Sequence, residues 1–484
     1  MSLLGILIAL ALLVGLAYRG WSVLLLAPFA AIVAAGVSRE PLLAHWTQTF
    51  MGGAAKFLAE FFPLFLLGAL FGKLMDDSGS VQAIARCMTE KLGSHRAILA
   101  VVLAGAMVTY GGVSLFVAFF VLAPMARSLF QAADIPRRLM PAAIVLGTST
   151  FTMSALPGTP AIQNAIPMPF FGTTPFAAPG LGIIASVIML GFGLWWLQRA
   201  ESAARKAGEG FGSAAVSAED EAVDDAYVRE RASAAREFDP AEIHRGHHSD
   251  TTPPIIWATL PLAVVVGVNL LMSIVILPKL DLSFLAEQRW GATSLASVGG
   301  VWSVAVALAA AVATVVIFNR SRLPALRASM DAGANASVLP AFGVASLVGF
   351  GAVVAALPGF AVVRDWVLAI GGGPLASLAV AISVLASMTG SASGGMTIAL
   401  DALGETYMRL AAEANIEPAL LHRVATISAG TLDSLPHHGA VVSLLAVCGL
   451  SHRESYFDIV MVGIVGAILA LLTVILLGAA LGSF

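Results

Sequence analysis

Long apolar runs separated by short polar connections make up most of this chain. A transmembrane helix needs roughly 20 predominantly apolar residues. Five runs approach or exceed that length, and they cover residues 2–18, 21–37, 255–277, 301–318 and 459–482. The pattern predicts an all-α polytopic membrane protein. Because Arg19 follows the first run and no basic segment precedes it, we expect this run to be a retained helix and not a cleaved signal peptide.

The composition agrees with the pattern. Hydrophobic residues make up 58% of the chain and charged residues only 11%, whereas soluble domains carry about 25% charged residues. No basic tract indicates a nucleic-acid partner, and a lipid bilayer is the expected surrounding. The two cysteines, Cys87 and Cys448, lie far apart and have no spacing typical of a disulfide framework or a metal site.

One hydrophilic segment interrupts the apolar pattern. Residues 199–250 are dense in charged side chains and predict a solvated linker between a first membrane repeat (1–198) and a second (251–484). Arginines concentrate in cytoplasmic loops of membrane proteins. Arg320, Arg322 and Arg327 after the 301–318 run therefore favour the same, cytoplasmic side as the linker.

The two halves show weak internal similarity. The stretch "ADIPRRLMPAAIVLGTSTFTMSALPG" (133–158) aligns with "ANIEPALLHRVATISAGTLDSLPHHG" (414–439), and "MVTYGGVSLFVAFF" (107–120) aligns with "SMTGSASGGMTIAL" (387–400). Duplicated halves of this kind are typical of secondary transporters. Each half is predicted to contain three spanning helices, a re-entrant hairpin, a broken helix and a final helix.

The boundaries of these elements follow from the same alignment. The predicted hairpins cover about 97–126 and 374–400, and the predicted broken helices cover about 139–165 and 418–447. Counting spans outward from the linker puts the hairpins on opposite sides of the membrane and both termini opposite the linker. The sequence therefore predicts two inverted repeats.

Four polar, Gly- or Pro-containing stretches interrupt the apolar runs at corresponding places in the two halves. They are "TYGGVS" (109–114), "STFTMSALPG" (149–158), "TGSASGG" (389–395) and "SAGTLDSLPHHG" (428–439). Irregular backbone at membrane depth is tolerated only where it is buried in protein or lines a cavity. Helix N-termini and hydroxyls at such breaks suit an anion. Small residues that merely pack helices together are the alternative interpretation.

The interruptions supply the candidate substrate-binding residues. In the first half these are Thr109, Gly111, Gly112, Ser114, Ser149, Thr152, Ser154, Gly158 and Asn164. In the second half they are Thr389, Ser391, Ser393, Gly394, Thr431, Ser434 and Gly439. Hydroxyl donors and exposed backbone N–H groups would together bind a carboxylate.

Three ionisable residues lie in the last interruption. Ionisable groups inside a membrane are rare and usually functional, so Asp433, His437 and His438 are candidates for proton coupling. A water-exposed helix end is the alternative, and the spacing does not indicate a metal site. Asp76, Asp77, Asp401 and Glu405 flank helix ends, where we expect them to face water.

Two of the interrupted stretches also carry a family resemblance. "SALPGTPAIQN" and "TLDSLPHHGAV", with the paired hairpins, resemble the gluconate permease (GntP-type) family of the ion transporter superfamily. The resemblance covers most of the chain outside the linker. It implies a transporter of the bacterial inner membrane, a homodimer with an elevator-type mechanism. The implied substrate is a small organic anion, gluconate-like or a short hydroxy acid such as 3-hydroxybutyrate, moved by proton symport.

Other function classes remain open alternatives. Sodium, held by hairpin carbonyls and hydroxyls, could couple transport in place of protons, as in a sodium-coupled carboxylate or citrate transporter. An anion channel and an intramembrane enzyme are the alternatives from other classes. The sequence contains neither H-E-x-x-H nor G-x-S-x-G, the motifs of intramembrane hydrolysis. We therefore predict no enzymatic activity and no cofactor.

Overall fold

The computed structural model describes residues 2–17, 21–212, 246–436 and 438–484, and every regular element within them is helical. His437 and residues 213–245 of the predicted linker lie outside the described residues. The first half contains α1 Ser2–Ala17, α2 Val23–Val37, α3 Leu42–Asp77, α4 Ser80–Leu92, α5 Ala97–Tyr110, α6 Leu115–Ala132, α7 Met140–Thr148, α8 Phe151–Ser154, α9 Ile162–Ala165, α10 Pro167–Phe171 and α11 Pro179–Lys206. The second half contains α12 Ile255–Lys279, α13 Leu295–Phe318, α14 Leu326–Ala356, α15 Phe360–Leu368, α16 Gly373–Thr389, α17 Ala392–Glu413, α18 Pro418–Thr431, α19 Gly439–Cys448 and α20 His452–Leu481.

Helix length and hydropathy identify a multi-pass membrane protein. Within the described residues, six helices are long and apolar enough to cross a bilayer: α3, α11, α12, α13, α14 and α20. The segment Ser80–Leu92 and the following Ser94–Tyr110, bent by 101°, add a seventh if they count as one span. The five apolar runs read from the sequence all fold as helices, so that part of the prediction is confirmed.

Large apolar side chains point outward from these helices. Ile317 and Leu476 are each 70% exposed, and Val187 is 64% exposed. Apolar side chains exposed to water are unfavourable. In a membrane protein the same surface faces lipid tails, which are as apolar as leucine.

The order of helices in the second half follows that of the first. Each half begins with four helices (α1–α4 and α12–α15), continues through a helical hairpin (α5–α6 and α16–α17) and several shorter helices, and ends with a long apolar helix (α11 and α20). Both hairpin tips turn on a glycine with positive φ, Gly112 at +96° and Gly390 at +70°, a conformation that costs glycine no steric strain. Inversion of the repeats, re-entry of the hairpins and the broken transmembrane helices stay predictions.

Two hydrophobic clusters hold the described helices together. The larger one runs from α3 to α20 and surrounds the hairpins and the interrupted helices. The smaller one joins α1 and α2 to α14 through residues such as Ile6, Leu13 and Phe350. Residues from both halves therefore pack into one continuous body around the interruptions.

Both described ends of the hydrophilic segment dock on the membrane part. On the first-half side, the Phe211 backbone N–H donates to Asp134 Oδ1 at 2.9 Å, and Glu209 pairs with Arg138 at 2.8 Å. On the second-half side, the Ser249 backbone N–H donates to the Asp77 carbonyl at 2.8 Å. The ends of the segment thus have fixed positions next to the C-terminus of α3 and the start of α7.

Candidate functional site

A cavity of about 300 Å³ lies where the interruptions of the two halves meet. Its lining includes residues from each of the four interrupted stretches, represented by Thr109, Met153, Ser391 and Asp433. Helices α3 and α14 contribute further residues to the wall, as do Val14 of α1 and Val23 of α2. Pockets for small molecules typically measure about 300–1,000 Å³, so the cavity is large enough for a small metabolite.

The structure places eight of the predicted site residues on the wall of this cavity. They are Thr109, Gly112, Ser114, Thr389, Ser391, Ser393, Asp433 and Gly439. Five of the eight carry hydroxyl groups and one carries a carboxylate, so the wall combines neutral donors with a titratable group.

Helices α6, α17 and α19 begin at the cavity wall. Helix α6 begins directly after Ser114, α17 directly after Ser391, and α19 at Gly439, and all three of these residues line the cavity. The first N–H groups of a helix have no partner within the helix, and the helix dipole adds about half a positive charge at that end. Three such ends on one cavity provide a favourable environment for an anion.

The tip of the second hairpin has the densest group of hydroxyls. Ser391 Oγ accepts a hydrogen bond from the Gly394 backbone N–H at 3.2 Å, which caps α17. Ser393 Oγ lies 3.2 Å from Ser391 Oγ, and Thr389 Oγ1 donates to the Ser391 carbonyl at 3.1 Å. These mutual contacts keep the three side chains together at the cavity.

A carboxylate and an imidazole meet beside α19. Asp433 lines the cavity, and its Oδ1 lies 3.2 Å from Nδ1 of His438, the residue that precedes α19. The His438 side chain is 1% exposed and that of Asp433 is 16% exposed. Of the predicted coupling residues, the structure thus joins these two, whereas His437 lies outside the described residues.

The remaining predicted hydroxyl residues do not line the cavity. Thr152 Oγ1 accepts from Thr109 at 3.1 Å and Ser154 Oγ donates to the Thr150 carbonyl at 3.1 Å. Ser149 Oγ lies 3.2 Å from Thr148 Oγ1, and Thr431 Oγ1 donates to the Ser428 carbonyl at 2.7 Å. Ser434 packs against Gly463. These hydroxyls are therefore engaged with nearby protein groups and are not part of the cavity wall.

Three predicted glycines and one asparagine also serve packing. Gly111 packs against Leu262, Gly158 against Phe176, and Gly394 against Leu347. Asn164 is fully buried, and its Nδ2 donates to the carbonyls of Thr159 and Pro175, each at 3.0 Å. The neighbouring Gln163 lines the cavity instead.

The burial of two carboxylates contradicts the prediction that they face water. Asp76 and Asp77, expected to face water, are 4% and 0% exposed, and Asp76 lines the cavity. The expectation was wrong because the end of the hydrophilic segment, at His248 and Ser249, covers the end of α3. Asp401 and Glu405 are exposed, as predicted.

Sequence reasoning did not identify three buried polar residues. Lys73 lines the cavity beside Asp76. His422 and Arg423 in α18 are fully buried, with His422 Nε2 at 3.1 Å from Asn164 Oδ1 and its Nδ1 at 2.6 Å from Thr173 Oγ1. The available signal was a charged residue within an apolar helix, which usually has a specific partner.

Known proteins with similar sequences are transporters. Residues 1–172 match the family described as GntP family permease. An uncharacterised transporter of Bacillus subtilis, YxjC, is 40% identical over 467 residues, which covers 95% of each chain. The high-affinity gluconate transporter of Escherichia coli is 32% identical over 146 residues, 29% of this chain and 31% of that protein.

Proposed function

This chain belongs to the GntP permease family, and from that premise we propose that it imports a small organic anion by secondary active transport. The proposed substrate is a gluconate-like sugar acid or a short hydroxy acid such as 3-hydroxybutyrate. A permease is a transporter and not an enzyme. The observation that carries the substrate class is the cavity at which α6, α17 and α19 all begin, since helix N-termini attract anions.

One relative whose name gives its substrate supports a sugar acid as the substrate of this chain. The Escherichia coli protein is named a gluconate transporter, and its similarity extends over 29% of this chain. Gluconate offers a carboxylate for the helix N-termini and several hydroxyls for the cluster at Thr389, Ser391 and Ser393. A short hydroxy acid presents the same two kinds of group in a smaller molecule.

Proton symport is the proposed source of energy. Asp433 and His438 supply titratable groups next to the cavity, with His437 as the third candidate. Histidine titrates near physiological pH. Protonation of any of the three makes the site one unit more positive, which favours an anion and thereby links proton uptake to substrate uptake.

The proposed motion is an elevator-type movement in a homodimer of the bacterial inner membrane. Two helical hairpins whose tips meet at one cavity support this mechanism, because each could close the cavity on its own side. The two sides would then open in turn.

Sodium coupling is the second candidate. Hydroxyl and carbonyl oxygens of Thr389, Ser391 and Ser393 lie close together at the hairpin tip, and hard cations prefer oxygen ligands. A sodium-coupled carboxylate or citrate transporter would use this cluster for the cation. No comparable observation on the described residues favours an anion channel or an intramembrane enzyme.

Uptake into proteoliposomes tests the function. We expect the purified protein to accumulate gluconate or 3-hydroxybutyrate when the outside is acidic, because an imposed gradient of one pH unit provides about 1.4 kcal/mol per proton, or roughly tenfold accumulation. A protonophore should abolish that accumulation. Uptake that follows a sodium gradient and ignores pH would establish sodium coupling instead, and passive equilibration without accumulation would indicate a channel.

Cysteine labelling tests the proposed orientation. The linker is proposed to be cytoplasmic, and Gly212 within it is exposed with no neighbouring atom within 4 Å of an added side chain. We expect Gly212→Cys to react with a membrane-impermeant maleimide only after permeabilisation. Gln288→Cys, an exposed residue in the loop between α12 and α13, is the control and should react in intact cells. The opposite pattern would invert the proposed topology.

A further inference from the structure

The charges on the cavity wall do not by themselves suit an anion. Among the described lining residues, three carry charge: Lys73, Asp76 and Asp433. The two carboxylates repel a substrate carboxylate, and helix N-termini provide only partial positive charges. The ammonium of Lys73 is the full positive charge available from this part of the wall.

Lys73 lies four residues before the end of α3, and its side chain is 5% exposed. Its Nζ is 3.0 Å from Oδ1 of Asp77, whose side chain is 0% exposed. A buried ammonium loses its hydration and stays charged only when it has a partner. The contact with Asp77 provides such a partner for the ammonium in the unloaded cavity.

Asp76 has partners of its own, so it does not need the ammonium. Gln82 Nε2 donates to Asp76 Oδ1 at 2.9 Å, and His248 Nδ1 lies 3.6 Å from Asp76 Oδ2. The same His248 nitrogen is 3.3 Å from Asp77 Oδ1. Asp77 therefore has a second potential cationic partner when Lys73 turns towards a ligand.

Neighbouring segments hold the lysine against the cavity. Gly333 of α14 packs on Lys73 Cβ, since an added side chain there would lie 3.2 Å from that atom. Gly246, from the end of the hydrophilic segment, packs against Lys73 Cε in the same way, at 3.1 Å. The side chain is thus confined between α14 and the segment that carries His248.

We propose that Lys73 recognises the carboxylate of the substrate and that Asp77 is its partner in the unloaded cavity. This assignment rests on the proposed transport of an organic anion. On binding, the ammonium is shared between Asp77 and the substrate, and His248 compensates Asp77. Lys73 then determines selectivity for acids over neutral polyols.

Paired ligands that differ only in charge test the assignment. Binding of gluconate and of its neutral amide, gluconamide, is measured by isothermal titration on the full chain in detergent. We expect wild type to prefer gluconate and Lys73→Met to lose roughly ten- to a hundredfold in gluconate affinity while binding gluconamide unchanged. Lys73→Arg should retain most of the preference for the acid.

Two further variants separate recognition from a structural role. Lys56→Met removes a lysine of the same helix that is 71% exposed and 3.8 Å from Asp401, and it should leave both affinities unchanged. Asp77→Asn should strengthen gluconate binding relative to gluconamide, because the ammonium is no longer shared with a carboxylate. If Lys73 had only a structural role, both Lys73→Met and Asp77→Asn would lower the affinities for gluconate and gluconamide by the same factor.

The outcomes distinguish this assignment from the proposed function. If Lys73→Met keeps the wild-type ratio of gluconate to gluconamide affinity within threefold, the proposed role of Lys73 is wrong. The proposal of anion transport is then unaffected. Wild-type protein that binds neither gluconate nor 3-hydroxybutyrate, or binds gluconamide as tightly as gluconate, overturns the anionic substrate and the role of Lys73 with it.

Discussion

Replacing Asp433 with asparagine is expected to abolish proton-driven accumulation while substrate exchange continues. The amide resembles the protonated carboxyl in shape and charge, so the anion still binds beside His438. The asparagine amide cannot release a proton, so the link between the proton gradient and substrate transport is lost. We expect the accumulation ratio in proteoliposomes to fall from roughly tenfold to about one under a gradient of one pH unit.

Counterflow provides the matched measurement for this variant. Vesicles preloaded with unlabelled substrate should exchange it for labelled substrate at a rate similar to that of wild type. Asp365→Asn is the control, since that carboxylate is 66% exposed and pairs only with its neighbour Arg364 among the described residues. Accumulation by Asp433→Asn equal to that of wild type would remove Asp433 from the coupling mechanism.

Replacing Arg423 with methionine is expected to destabilise the fold severely. The guanidinium is fully buried, and its Nη2 and Nη1 donate to the carbonyls of Ala177 and Ala155 at 2.6 and 3.1 Å. Both carbonyls belong to the first half, whereas Arg423 belongs to the second. Each acceptor left without a donor costs about 1–3 kcal/mol, so we expect a total loss of about 2–6 kcal/mol for the two carbonyls.

Thermal unfolding in detergent checks this loss. An apparent Tm lowered by roughly 5–10 °C is expected. Arg423→Lys should give an intermediate Tm, because lysine keeps the charge but not the fork of donors. Arg364→Met removes an arginine that is 45% exposed and paired with Asp365, and it should change Tm little. An unchanged Tm for Arg423→Met would show that the two carbonyls find other donors.

The apolar pattern alone was sufficient to predict the helical membrane fold. Side chains that face lipid or a membrane-protein core must be apolar over the whole length of a span, so the runs at 2–18, 255–277 and 459–482 identify their helices from local sequence. The interruptions can also be identified from local sequence, because clusters of glycine, proline and hydroxyl residues interrupt an apolar pattern. The hairpin tips at Gly112 and Gly390 were found in this way.

Tertiary packing decided which polar residues reach the cavity. Ser393 lines it and Ser154 does not, although both are serines in the polar interruptions of the apolar pattern, because the direction of a side chain depends on how its helix packs against others. Asp76 and Asp77 are buried because a segment about 170 residues later in the chain covers them. Arg423 contacts carbonyls 246 and 268 positions away. A single sequence does not show which residues so far apart in the chain will contact each other, because such contacts form only when the two halves pack together.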